Sequence, residues 1–234
     1  MTQSGILALV PARGGSKGLP DKNIRSLAGR TLLEYAARAA AASGVVDRVV
    51  LSTDSPRIAE EGRRVGIEVP FMRPAGLATD DAAMRPVIEH AVGFLEEQGW
   101  SPEIVVLLQP TSPLRTPHHI RNAVDELRSS RADSVVTVVE VPRHLSPDYV
   151  MRIEGADLVP FLPQGAGVTR RQDARPAYVR DGTVYAFWRR TLAEHGSIYG
   201  AHCRPLLVPA TESVTIDTQA DWDEAERRLA ASRT

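Results

Sequence analysis

Four runs of the chain, GILALVPA (5–12), DRVVLSTD (47–54), EIVVLLQPT (103–111) and DSVVTVVEV (133–141), are apolar and β-branched almost without interruption. Continuous rather than alternating apolar character marks strands covered on both faces, as in a parallel sheet. Between them TLLEYAARAAAAS (31–43), PRIAEEGRRVG (56–66), AAMRPVIEHAVGFLEEQG (82–99) and HHIRNAVDELRSSR (118–131) carry apolar residues at helical spacing. The chain therefore reads as a βαβ series, which confines it to an α/β fold with a mainly parallel sheet. Asp54–Ser55–Pro56 offers a capping side chain ahead of a proline suited to the first helical turn, and Thr79–Asp80 is expected to cap the helix over 82–99.

Beyond 141 the pattern breaks. Pro142, Pro147, Gly155, Pro160, Pro163, Gly165 and Gly167 divide the chain into short segments, so 142–180 is expected to be a small inserted arm on a domain formed by 1–141 and 181–234. TVYAFWRR (183–190) and RPLLVPA (204–210) return as apolar runs. The last helix, TQADWDEAERRLAAS (218–232), opens with Thr218 and Asp221 at capping-box spacing, with Asp in place of Glu or Gln.

Composition excludes several classes of function. With 43% hydrophobic and 24% charged residues and a formal net charge of −1, the chain has no bulk positive field to draw it onto nucleic acid or anionic lipid, so no nucleic-acid partner is expected and any anion site must be local. No apolar run approaches the ~20 residues that span a bilayer, and MTQSGILALVPAR lacks the pattern of a signal peptide; no membrane partner and a cytoplasmic location are expected. Cys203 is the only cysteine, which excludes an internal disulfide and a cysteine-based zinc site. His90, His118 and His119 show no metal-ligand spacing and fit packing or surface roles, while Trp188 and Trp222 read as core or interface anchors.

The candidate chemistry starts in LVPARGGSKGLPDKN (9–23). G-x-x-x-x-G-K-[ST] and G-x-G-x-x-G both fail here. What remains is a glycine-rich turn after a strand: Ala12, Gly14, Gly15 and Ser16 can present backbone N–H groups, and Arg13, Lys17 and Lys22 positive charge, where a triphosphate would lie. The same composition also suits a solvated basic loop. Asp217, after an apolar run and before the cap Thr218, is either a strand-end carboxylate for Mg²⁺ or an acid favoured by the helix dipole. Gln109, at the exit of a strand, is an amide for sugar hydroxyls or a turn residue before Pro110. Arg170 and Arg171 offer forks for a carboxylate, or form a solvated pair.

PARGGSKGLPDKN resembles the N-terminal signature of the acylneuraminate cytidylyltransferase (CMP-sialic acid synthetase) family, P-A-R-x-x-S-K-G-[IL]-x-x-K-N. LQPTSPLR (108–115), RRQD (170–173) with DGTVYAF (181–187), and VTIDTQADWDEAE (214–226) are similar to three further family segments in the same order. The resemblance implies a three-layer, Rossmann-like nucleotidyltransferase fold, an inserted dimerisation arm and a homodimer. It implies transfer of CMP from CTP to the anomeric hydroxyl of an acidic sugar, with Mg²⁺, for which Mn²⁺ can substitute. It assigns Arg13 and Lys22 to the triphosphate, and Asn23 and the backbone near Ala82 to the nucleotide. Gln109, Arg171 and Gln172, with Asp181 in the adjoining segment, go to the acceptor, and Asp217 to the metal. Arg13, Lys22 and Asp217 are thus the catalytic candidates.

Two positions depart from the pattern. Thr215 stands where the family carries the first aspartate of D-I-D, which should weaken metal binding. Asp181 replaces the usual asparagine before Gly182, which leaves a different acidic acceptor, such as a phosphonate, open, as well as a non-catalytic nucleotide-binding relative. A sugar 1-phosphate nucleotidyltransferase would instead open with a G-x-G-T-R-like run.

Overall fold

A computed structural model describes residues 3–15 and 18–231. The chain begins with strand β1 (Gln3–Pro11), a two-strand clip β2 (Ser26–Leu27) and β3 (Arg30–Thr31), helix α1 (Leu32–Ser43), β4 (Arg48–Ser52) and α2 (Pro56–Arg64). It continues through α3 (Met84–Glu97), β5 (Trp100–Leu107), α4 (Pro117–Ser129) and β6 (Ser134–Glu140). An exposed hairpin, β7 (Met151–Glu154) and β8 (Asp157–Pro160), precedes β9 (Tyr178–Trp188), α5 (Arg189–His195), β10 (Cys203–Leu207) and α6 (Gln219–Ala231).

Six strands form one sheet in the order β10-β6-β9-β5-β1-β4. β1 runs parallel to β4 and β5, and β10 parallel to β6, while β9 lies antiparallel between β5 and β6. The sheet divides two cores, as continuous apolar strands require. Ile6, Ala8 and Val10 of β1 face α1 and α4 through Leu33, Ala36, Ile120 and Val124. Leu7 and Leu9 point to the other side and pack with Ile88 and Leu95 of α3 and Leu192 of α5. A third cluster joins Leu19, Leu27 and Leu32 to Ile216, Trp222 and Ala225. At about 1.5–3 kcal/mol for each fully buried large apolar side chain, this cluster is what fastens the C-terminal segment carrying Asp217 against the opening turn.

Several boundaries follow the caps read in the sequence. Ser55 Oγ accepts from Ile58 N–H with Pro56 in the first turn of α2. Thr218 Oγ1 accepts from Asp221 N–H, and the Asp221 carboxylate accepts from Thr218 N–H at 2.7 Å. The cap expected at Thr79–Asp80 is not used: α3 begins after Ala83, which makes no side-chain capping bond. β9 starts at Tyr178, and Tyr178, Val179 and Arg180 pair with Glu140, Val139 and Val138, so the sheet reaches into the end of the span expected for the arm. Between the pairs Val136–Tyr185 and Val138–Arg180 the register shifts, leaving Asp181–Val184 of β9 opposite Thr137 alone. The Thr137 hydroxyl fills this bulge, donating to Val184 O at 3.1 Å and accepting from Val184 N–H at 2.8 Å.

Candidate active site

After β1 the chain crosses to β4 on one side and then to β5 on the other, so the carboxyl ends of β1 and β5 flank a topological switch point, where open α/β sheets bind ligands. A cavity of about 510 Å³ opens there. Pro11, Ala12 and Arg13 leave β1 along one wall; Gln109, Pro110 and Thr111 leave β5 along the other; Lys22, Asn23, Arg73, Asp80, Ala82 and Asp217 complete the lining with Gly18, Met84 and Val87 among their neighbours.

The polar groups of the cavity are held by specific contacts. Arg13 Nη1 lies 2.5 Å from Asp80. Lys22 Nζ donates to Ile216 O at 2.8 Å and lies 3.0 Å from Asp217 Oδ1, its own side chain largely buried while that of Asp217 stays 71% exposed. Gly18 explains part of the glycine-rich turn: a Cβ there would sit 2.3 Å from the carbonyl oxygen of Asp217, so only glycine lets the turn close on the C-terminal segment. Buried Asn23 spans the turn by donating to Arg13 O at 3.4 Å.

Arg73 is a cation that no sequence motif announced. It is 6% exposed, donating through Nε to Ser52 Oγ at 3.0 Å and through Nη2 to Ser52 O. Burial pushes its pKa down, Asp54 pulls it back, and Arg13 adds to the depression. A buried guanidinium next to a second one gains from an anion in the cavity. Its context, FMRPAG, has no periodic signal, and its hydrogen-bond partner lies 21 residues away.

The sequence-derived candidates divide into those brought together and those left apart. Ala12, Arg13, Lys22, Asn23, Ala82, Gln109 and Asp217 line the cavity. Gly14 and Gly15 do not: Gly14 N–H is taken by Asp54 Oδ1 at 2.9 Å, which ties the turn to the start of α2. Ser16 and Lys17 lie outside the described residues. Arg171 and Gln172 are exposed on a short 3₁₀ turn of the arm, outside the lining. Asp181 corrects an expectation. Its carboxylate is buried in the β9 bulge, accepts from Thr183 N–H at 3.1 Å and from Thr183 Oγ1 at 2.5 Å, and offsets the charge of Arg115. It faces into the protein, so its presence in place of asparagine puts no charge on the cavity wall. Thr215, the other departure, donates from Oγ1 to Asp181 O at 2.9 Å.

Gln109 is held from behind. Arg115, buried, donates from Nη2 to Gln109 O and from Nε to Thr183 O, both at 2.5 Å. Gly182, with φ of 78°, passes beside the Gln109 amide; a Cβ there would come within 3.2 Å of Gln109 Oε1. The result is a cavity with cations and a carboxylate at the β1 end and a neutral amide, on a backbone anchored by Arg115, at the β5 end.

The chain is similar to known proteins over nearly its whole length. A family model described as Cytidylyltransferase matches residues 7–228. The chain is 36% identical over 227 residues to a CMP-N,N'-diacetyllegionaminic acid synthase of Legionella pneumophila, covering 96% of each chain. It is 28% identical to a pseudaminic acid cytidylyltransferase of Campylobacter jejuni over 94% of each. With an N-acylneuraminate cytidylyltransferase of Streptococcus agalactiae it shares 32% identity over 92% of its own length and 51% of the relative's. In fold it resembles a CMP:2-keto-3-deoxy-manno-octonic acid synthetase solved with CTP, at TM-score 0.73 and 16% identity over 97% of this chain and 99% of the other. A 4-diphosphocytidyl-2C-methyl-D-erythritol synthase of Anaerococcus prevotii matches at TM-score 0.66 and 16% identity, with the same coverage. The chain belongs to the cytidylyltransferase family and is a CTP-dependent nucleotidyltransferase.

Proposed function

We propose that the protein transfers CMP from CTP to the anomeric hydroxyl of a nonulosonic acid. The acceptor oxygen attacks the α-phosphorus and gives up its proton to water, the bond from the α-phosphorus to the α,β-bridging oxygen breaks, and pyrophosphate leaves with that bond's electron pair. The observation that carries this reading is the convergence of Arg13, Lys22 and Arg73 at one end of the cavity with Gln109 at the other. Displacement at phosphorus builds charge on the equatorial and leaving oxygens, which positioned cations stabilise. Asn23 and the Ala82 backbone border the nucleoside end of this reading. Gln109 offers its amide to the acceptor hydroxyls, a choice of substrate class that rests on the sugar acids named in the relatives.

A divalent metal fits the donors present. Among the described residues no three His, Cys, Asp or Glu side chains group to hold an ion, but Mg²⁺ typically takes one or two carboxylates and completes its shell with substrate phosphates and water. Asp217, exposed at the cavity and the partner of Lys22, is the carboxylate that would hold it. Bound Mg²⁺, or Mn²⁺ in its place, would supply charge neutralisation on the phosphates. Lys22 and Arg13 would exchange their carboxylate partners for phosphate oxygens.

We further assign the arm to dimerisation. Leu145, Met151, Ile153, Leu158 and Phe161 are all 46% or more exposed, an apolar surface that suits a second copy of the chain. A CTP-consuming reaction is assigned to the cytoplasm, and no helix among the described residues is long and apolar enough to cross a membrane.

Pyrophosphate release by the pure protein tests the reading, with CTP, UTP, ATP and GTP compared across sialic, legionaminic, pseudaminic and deaminated nonulosonic acids and a phosphonate. Release with CTP and one nonulosonic acid is expected. Turnover of the phosphonate alone would move the acceptor to another class, and CTP binding without release for any acceptor would overturn the proposal.

A further inference from the structure

The two positions at which the sequence departs from the family signature it resembles, 34 residues apart, meet in the structure. Thr215 Oγ1 donates to the backbone carbonyl of Asp181 at 2.9 Å. The segment that carries Thr215 leads directly to Asp217, and its other ties all run elsewhere than β9: Ile216 is buried in the third cluster, its N–H donates to Thr111 O at 2.9 Å and its O accepts from Lys22 Nζ, Arg228 donates to Ser213 O at 3.0 Å, and Asp217 N–H donates to the Asp221 carboxylate at 3.1 Å. On the far side of the contact, the Asp181 carboxylate is closed over Thr183, and Arg115 bonds both Thr183 O and Gln109 O. A continuous path of hydrogen bonds therefore runs from the Asp217 segment through Thr215 and the β9 bulge to Gln109.

We propose that Thr215 is a positioning residue, a hydroxyl latch that fastens the Asp217 segment to the β9 bulge and so fixes Asp217 relative to Gln109. An aspartate at 215 cannot do this. An ionised carboxylate has no proton to give the Asp181 carbonyl, and it would stand beside an oxygen of partial negative charge. The missing aspartate is then an exchange of one way of ordering the metal-side segment for another, in a chain whose residue 181 is itself acidic. The latch itself is read from the contacts; its consequence for metal and nucleotide rests on the function proposed above.

The test compares Thr215→Val, which keeps the shape and removes the donor, with Thr215→Ser, which keeps the donor, and Thr215→Asp. Three readouts are taken on the full chain: amide hydrogen exchange of the peptide spanning 213–217, CTP affinity by calorimetry with and without Mg²⁺, and the Mg²⁺ concentration for half-maximal pyrophosphate release. For Thr215→Val we expect faster exchange in that peptide, unchanged CTP affinity without metal, and a Mg²⁺ requirement raised by about three- to tenfold, the size of one hydrogen bond's net contribution. Thr215→Ser should stay close to the parent, and Thr215→Asp should fail to lower the Mg²⁺ requirement. Exchange and Mg²⁺ requirement both unchanged in Thr215→Val would overturn the latch, as would a lowered requirement in Thr215→Asp. If the parent itself shows no effect of Mg²⁺ on CTP binding or turnover, the metal reading falls, and exchange alone decides the latch: faster in Thr215→Val and parental in Thr215→Ser supports it, and no change removes it.

Discussion

The nucleotide end of the molecule and its arm are built on opposite terms. In β1, Leu7, Ala8, Leu9 and Val10 are wholly buried, and every cavity-lining cation discussed above has a named partner in the same chain. In the arm, Ile153 is 78% and Leu158 66% exposed, although Gly155, with φ of 63°, makes a well-formed two-residue turn between β7 and β8. The hairpin is thus shaped by local turn chemistry and left without a core of its own, while the site above β1 and β5 is closed by contacts between distant segments. One region is finished within the chain; the other has the composition of half an interface.

Adding charge to the arm is the sharpest way to break this contrast. Ile153→Asp with Leu158→Asp should leave the folded protein and its CTP affinity intact. The proposed dimer should weaken by on the order of 3–6 kcal/mol if both side chains are buried in it, about a hundredfold to ten-thousandfold in its dissociation constant. Sedimentation and calorimetry check the two halves of that statement. Loss of CTP binding together with dimerisation would mean that the nucleotide end is not self-sufficient.

At the other end, Lys22→Ala removes one of the cations that would face the triphosphate. A fall in turnover of about a hundred- to a thousandfold is expected, in line with the loss of one charged transition-state contact at about 2.7–4 kcal/mol. Lys22 Nζ also holds Ile216 O, so about 1 kcal/mol of stability should go with it. Kinetics set beside chemical denaturation separate the two. Loss of stability matching the loss of rate would make Lys22 a brace for the C-terminal segment and nothing more.

The contrast also explains what could be read from the sequence. The strands of both faces and most helices were legible because continuous apolar runs and helical spacing are local patterns, and so were the caps at Ser55 and Thr218–Asp221. The cavity-lining residues carried by short motifs, Arg13, Lys22, Asn23, Gln109 and Asp217, were singled out by the family resemblance, because their local pattern alone suits a solvated loop, a turn or a helix-dipole acid equally well. What escaped depends on contacts between segments. Arg73 becomes part of the site only because Ser52 accepts its guanidinium. Thr79–Asp80 has the composition of a cap, but both residues line the cavity and Asp80 pairs with Arg13. The inward turn of Asp181 is set by the β9 bulge, where a side-chain hydroxyl of β6 replaces ladder hydrogen bonds, and nothing in DGTVYAF announces it.

The smallest expected effect concerns how the finished end is held. His119 accepts from Thr116 N–H at the start of α4 through Nδ1 and meets Glu212 through Nε2 at 3.0 Å, so the neutral ring joins α4 to the segment that leads to Asp217. Burial holds its pKa below 6.5, with the Glu212 contact acting in the opposite direction. Because the folded state takes up this proton less readily than the unfolded one, the unfolded chain binds more protons as pH falls through 6.5, and stability must decline until the folded pKa is passed. His119→Gln can keep both contacts without titrating, so its melting temperature should fall less than the parent's between pH 7.5 and 5.5. An identical acid slope would assign the effect elsewhere, with His90, also depressed by burial, the first candidate. Because Glu212 belongs to the same C-terminal segment as Thr215, a reduced slope would show that the core side of the molecule restrains that segment at more than one point, where the exposed hairpin of the arm has no such restraint from a distant segment among the contacts described above.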